Sequence, residues 1–210
     1  MKSFKQAILI TALGLIAGLG ADSVAVADDD HRPSISVMGG VHALNQNDTA
    51  LPDDILNIPL VGTLTYPVSR NVAVEGEFTW LIPVEQDITL GSGATAKRKT
   101  PNILAYQANA RVGWPAAETW TPYVVGGVGA LTLLSNTDAN ALPVLDQSQT
   151  VFAINVGAGV LYRLTPRLAL RGDFREFAAF PGNDTAGLST GGNADPIWME
   201  RGTLGLALQF

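Results

Sequence analysis

Apolar and polar side chains alternate along this chain with a period of two. In VAVEGEFTW (72–80), Val72, Val74, Phe78 and Trp80 share one face with Gly76. Ala73, Glu75, Glu77 and Thr79 share the other. Extended backbone turns successive side chains to opposite faces, so the stretch predicts a strand with one apolar and one polar side. The pattern recurs near 34–44, 56–66, 102–113, 121–134, 150–163, 168–179 and 197–210; with 71–82 that makes eight segments. In the first, Ile35, Val37 and Val41 oppose Ser36, Met38, Gly40 and His42. In the fourth, Leu104, Tyr106, Ala108, Ala110 and Val112 oppose Gln107, Asn109 and Arg111. In the sixth, Phe152, Ile154, Val156, Ala158, Val160 and Tyr162 oppose Asn155, Gly157, Gly159 and Arg163. In the seventh, Leu168, Leu170 and Phe174 oppose Arg171, Asp173 and Arg175. Most segments exceed the roughly 5–6 residues of an ordinary strand and match the roughly 9–11 that a tilted strand needs to cross a bilayer.

The connections alternate as well. PVSR (67–70), PAAETW (115–120) and TPR (165–167) are short, and each carries a proline, which suits a turn and is excluded from a central strand. Those near 45–55, 83–101, 135–149 and 180–196 are longer and polar. Short turns at one end and long loops at the other describe an up-and-down meander, and an even strand number leaves both termini at the short-turn end. The expected fold is all-β, an eight-stranded antiparallel up-and-down transmembrane β-barrel. A soluble lipocalin-like barrel would turn the apolar faces inward. Two features favour the inverted arrangement. The polar faces are rich in Gly, Ser, Asn and charges of both signs, which suit a narrow lumen. Aromatic residues also gather at strand ends: Tyr66, Trp114, Trp120, Tyr123, Tyr162 and Phe210 near the short turns, Trp80, Phe152, Phe177 and Trp198 near the long loops. Two aromatic belts around an apolar band are what a bilayer selects.

The N-terminal region has a different pattern. Lys2 and Lys5 precede an apolar run from Ala7 to Gly20, and Ala25-Val26-Ala27 follows, ahead of three aspartates. This order predicts a cleaved signal peptide over 1–27 and a barrel domain over 28–210. Removing Lys2, Lys5 and Asp22 from the chain's 13 basic and 19 acidic residues leaves 11 and 18. That acidic balance excludes a general nucleic-acid binder, which needs a basic face. There is no cysteine, hence no disulfide and no thiolate metal site.

The chain ends RGTLGLALQF, with Leu204, Leu206, Leu208 and Phe210 on one face. A closed barrel pairs its last strand with its first, because an open edge in lipid leaves backbone groups unsatisfied. The alternating apolar residues and final aromatic resemble the C-terminal signal of Gram-negative outer-membrane proteins, which implies the barrel assembly machinery as a partner. YPVSRNVAVEGEFTW (66–80), TPYVVGGVGALTL (121–133) and NVGAGVLYRLTPRLALRGDFREF (155–177) extend the likeness. On these residues the chain resembles the small eight-stranded outer-membrane barrels, the OmpA/OmpX-like and OmpW-like group. The resemblance implies the cell outer membrane as location, its lipids and lipopolysaccharide as surroundings, and no cofactor. The group includes adhesins, structural proteins, small channels and lipid A-modifying enzymes.

The candidate chemistry lies on the inward faces. Glu75, Glu77, Arg111, Arg163, Arg171, Asp173, Arg175 and Arg201 predict a charge network in the lumen, where carboxylate–guanidinium pairing offsets poor solvation. The alternative is a polar path for small solutes or ions. The inner glycines Gly40, Gly157, Gly159 and Gly205 either leave space or admit neighbouring side chains. Lipid A-modifying enzymes of this fold use a paired His and Ser. Here the histidines are His31 and His42, and neither has an evident Ser partner, so no enzymatic activity is expected. The acidic loop residues Asp53, Asp54, Glu85, Asp87 and Asp184 match no metal-binding spacing. Lys97, Arg98 and Lys99 form the one basic cluster and a possible contact for a polyanion such as lipopolysaccharide phosphate.

Overall fold

The computed structural model describes residues 32–45, 56–89, 95–138, 145–182 and 196–210, without the side chains of 44, 45, 88, 89, 95, 96 and 98. The expected signal peptide, His31, Asp53, Asp54 and Asp184 lie outside the described residues. Among the described residues ten strands form: β1 (Ser34–Asn45), β2 (Leu56–Pro67), β3 (Val72–Pro83), β4 (Gln86–Thr89), β5 (Thr95–Arg98), β6 (Ile103–Gly113), β7 (Trp120–Leu133), β8 (Gln149–Arg163), β9 (Leu168–Phe180) and β10 (Ile197–Gln209). Eight of them close a barrel in the order β1-β10-β9-β8-β7-β6-β3-β2, every pairing antiparallel. Their ends fall within a residue of the periodicity's expectation. The connection expected over 83–101 differs. It contains the two-stranded hairpin β4–β5, held by backbone pairing from Gln86↔Arg98 to Thr89↔Thr95. Four-residue strands are too short to show a period, so alternation could not reveal them.

β10 pairs with β1 along its length, from Ser34↔Gln209 to Asn45↔Trp198. The backbone N–H of Phe210 donates to the carbonyl of Pro33 at 3.1 Å. The register also sets the barrel's shape. Traced from Leu56 on β2 through β1, β10, β9, β8, β7, β6 and β3, it returns to β2 at Tyr66, ten residues further along. With strands about 4.8 Å apart and a rise of about 3.3 Å per residue, a stagger of ten tilts eight strands by about 40°. Such a barrel encloses a lumen that its own side chains can fill.

The polarity is inverted relative to a soluble fold. Ile35, Val37, Leu64, Phe78, Phe174, Leu204, Leu206 and Leu208 are exposed on the outer surface, whereas Glu75, Arg171, Arg175 and Arg201 are at most 2 % exposed. The lumen has two tiers. Toward the long loops, Leu81, Ile103, Leu131, Val151, Phe177 and Ile197 form an apolar cluster. Leu145 joins it from the β7–β8 connection, where Asn136 and Leu145 form a two-residue bridge. Below it lie the charged residues Glu75, Glu77, Arg171, Asp173, Arg175 and Arg201, with Met38, Val61 and Val125 among the buried apolar side chains on the way to the short turns.

The aromatic belts need two corrections. Trp80, Trp120, Phe152 and Phe210 are exposed at strand ends as expected, but Tyr123 and Phe177 are 2 % and 3 % exposed and face the lumen. Their parity explains this: Phe177 lies two residues from Arg175, and Tyr123 two from the fully buried Val125.

Candidate functional site, a cross-linked lumen

The polar tier is built on β3, β9 and β10. Glu75 and Glu77 project inward from β3, Arg171, Asp173 and Arg175 from β9, and Arg201 from β10. A spacing of two within a strand puts these residues on one face, and the register sets Arg175 opposite Arg201. Two guanidinium groups side by side would repel, so each reaches across the lumen to β3. Arg201 Nη1 and Nη2 meet Glu77 Oε1 and Oε2 at 2.7 and 3.0 Å, a bidentate pair. Arg175 bridges three carboxylates: Nη2 to Glu75 Oε1 at 2.7 Å, Nε to Asp173 Oδ1 at 2.8 Å and Nη1 to Glu77 Oε2 at 3.2 Å. Arg171 Nη1 reaches Glu75 Oε2 at 2.8 Å, and its Nη2 reaches Asp173 Oδ2 at 3.1 Å.

Neutral groups complete the network. The hydroxyls of Thr65 and Thr79 donate to Glu75 Oε2 and Glu77 Oε1 at 3.1 and 3.2 Å. Tyr123 accepts from Arg171 Nε at 2.9 Å and donates to Asp173 Oδ2 at 2.7 Å. Arg111 and Arg171 lie over its ring at 5.2 and 5.3 Å, and Arg201 lies over Phe177 at 5.0 Å. Two inner glycines make room. A Cβ at Gly157 would stand 2.6 Å from Arg175 Cγ, and one at Gly159 would overlap the Tyr123 hydroxyl. These glycines therefore admit Arg175 and Tyr123.

The sequence-predicted residues divide clearly. Glu75, Glu77, Arg171, Asp173, Arg175 and Arg201 come together. Arg111 sits at the margin, with Nη1 3.9 Å from Glu75 Oε2. Arg163 does not join them: it ends β8 at a short turn, and its exposure there lets water solvate the charge. Tyr123 belongs to the network and was missed, because a Tyr at a strand end also suits an interfacial belt. Its parity with Val125 was the available signal. His42 is 2 % exposed and faces the lumen, not the lipid. Of the basic cluster, Lys97 Nζ is 3.6 Å from Glu85 Oε1 and Lys99 Nζ is 2.6 Å from Asp138 Oδ2. The hydrogen bond to Asp138 raises the Lys99 ammonium above its ordinary pKa. No group of three or more His, Asp or Glu side chains able to hold a metal occurs among the described residues.

A closed barrel, apolar outside and charged within, defines the class: a transmembrane barrel of the outer-membrane type. The model of the outer membrane protein beta-barrel domain matches residues 11–210, and the chain belongs to that family. Among solved structures it is similar to Neisserial surface protein A, with a TM-score of 0.58 at 14 % identity over 85 % of this chain and 97 % of that one. It is also similar to a major outer membrane protein from Thermus thermophilus, with a TM-score of 0.53 at 14 % identity over 86 % of this chain and 100 % of that one. OprG from Pseudomonas aeruginosa gives 0.52 at 14 % identity over 88 % and 99 % of the two chains. At these identities the likeness is one of fold. Among curated proteins no sequence match is found.

Proposed function

We propose that this chain is an integral outer-membrane barrel of a Gram-negative bacterium, exported by its N-terminal signal peptide, with a non-enzymatic structural or surface-interaction role. One observation carries the reading: Arg175 ties three carboxylates on two strands across the lumen and is itself fully buried. A conducting path needs mobile water and weak, exchangeable contacts along it. Here the charged side chains hold one another, and the apolar tier stands between them and the loops. The apolar outer face suits outer-membrane lipids and lipopolysaccharide, and the terminal Leu204, Leu206, Leu208 and Phe210 suit the assembly machinery. Lys97 and Lys99 already have acidic neighbours, so little positive charge is offered to a polyanion. The inward His42 argues against chemistry on lipid A, whose acyl chains lie outside the barrel.

The test is conductance of the purified barrel in planar bilayers. The expected result is a silent membrane across ±100 mV. Discrete, reproducible openings would instead establish a narrow channel for small solutes or ions. Unchanged lipid A by mass spectrometry in cells expressing the protein is the expected companion result.

A further inference from the structure

Where β1, β2 and β10 approach the long loops, three inward side chains stand next to one another in register: Asn57 pairs with His42, and His42 with Arg201. Adjacent residues on one face of a sheet have Cβ atoms about 5 Å apart. All three are at most 2 % exposed, and each carries a polar atom with no hydrogen-bond partner among the described residues: Asn57 Nδ2, His42 Nδ1 and Arg201 Nε. A buried polar group left unpaired is costly, so three together call for an occupant.

The chemistry of these atoms selects it. Asn57 Oδ1 already accepts the Thr100 hydroxyl at 2.7 Å, which leaves the amide N–H₂ as the open group. Arg201 Nη1 and Nη2 are engaged by Glu77, and Nε can only donate. His42 Nδ1 is a third donor in one of the two neutral tautomers, the one an anion would select. A second place in the lumen makes the contrast. There the open atoms are Gln107 Nε2, a donor, and Asn155 Oδ1, an acceptor, beside the bond from Asn155 Nδ2 to Gln107 Oε1 at 2.9 Å. A donor with an acceptor suits a bridging water. Three donors suit an anion.

We propose that the lumen binds one small monovalent anion between His42, Asn57 and Arg201. The three open atoms belong to side chains at most 2 % exposed, and the buried Thr100 hydroxyl donates to Asn57 beside them, so the site suits a small ion such as a halide. It does not depend on whether the barrel conducts.

The test uses the full-length refolded barrel with bromide as the probe. In crystals grown in sodium bromide, anomalous scattering is expected within hydrogen-bonding reach of Asn57 Nδ2 and Arg201 Nε. Thermal unfolding in detergent, followed by gel mobility, is expected to shift upward by several degrees when gluconate is replaced by chloride at equal ionic strength. Asn57→Leu should abolish that shift. Three results would overturn the proposal: density at the site without anomalous signal, which means water; anomalous peaks only on the barrel's outside, an adventitious ion only; or a chloride shift that Asn57→Leu leaves unchanged. The crystal measurement uses the unsubstituted protein and decides the matter even if Asn57→Leu does not fold.

Discussion

Individual residues show why charge is tolerated inside this barrel. Arg175 is fully buried but meets three carboxylates, and Glu75 is shared by Arg171 and Arg175. Removing one member therefore leaves partners uncompensated in a place water cannot reach. Glu75→Leu is expected to destabilise the barrel by about 3–5 kcal/mol, the usual cost of breaking a buried ion pair from one side. Urea-dependent unfolding in detergent micelles would measure it. Tyr123→Phe removes one hydroxyl from between Arg171 and Asp173 and keeps the ring beneath the guanidinium groups. A smaller loss, about 1–3 kcal/mol, is expected for that change in the same assay. A loss for Tyr123→Phe as large as that for Glu75→Leu would mean that the hydroxyl, not the carboxylate, organises the centre.

At the scale of elements, each strand must satisfy two solvents, lipid on one face and a crowded lumen on the other. Leu204 is 59 % exposed near the middle of β10, with Gly39 and Gly172 beside it in register. Leu204→Arg is expected to cost about 2–4 kcal/mol, as a cation does near the bilayer midplane. A detergent-refolding titration would report it. An inward glycine obeys the opposite rule. Gly157→Val places a branched side chain where Arg175 passes, so a lower refolded fraction on a gel-shift assay is expected. The element predictions made from periodicity held for the eight long strands because a run of ten or more residues repeats the pattern several times. They failed for β4 and β5, whose four-residue length allows no repeat.

At the scale of the whole molecule, closure matters most. β10 pairs with β1 over twelve register positions, so no barrel strand offers a free edge to lipid. A barrel closed this way stays compact in cold detergent and unfolds on boiling. The unboiled protein is expected to migrate faster than the boiled one, with a β-rich circular dichroism spectrum. A water-soluble monomer with no mobility shift would require the apolar faces to be turned inward.

The sequence by itself determined the number of barrel strands, their ends, the alternation of short and long connections and the face that β1, β3, β6, β8, β9 and β10 turn outward. Each is a local, periodic property, visible in side-chain order along a single segment. It also marked six of the residues that meet in the lumen, because a charge at an inward position of a membrane strand has few other places to go. Only the tertiary structure decided which charges pair. Glu75 and Arg175 are a hundred positions apart, and they meet because a stagger of ten residues around eight strands brings β3 to face β9 across the lumen. The same geometry drew Tyr123 and Phe177 inward, left Arg163 in solvent at a turn, and set His42, Asn57 and Arg201 side by side. Pairing across a closed barrel depends on register and curvature, which belong to the assembled sheet and to no strand alone.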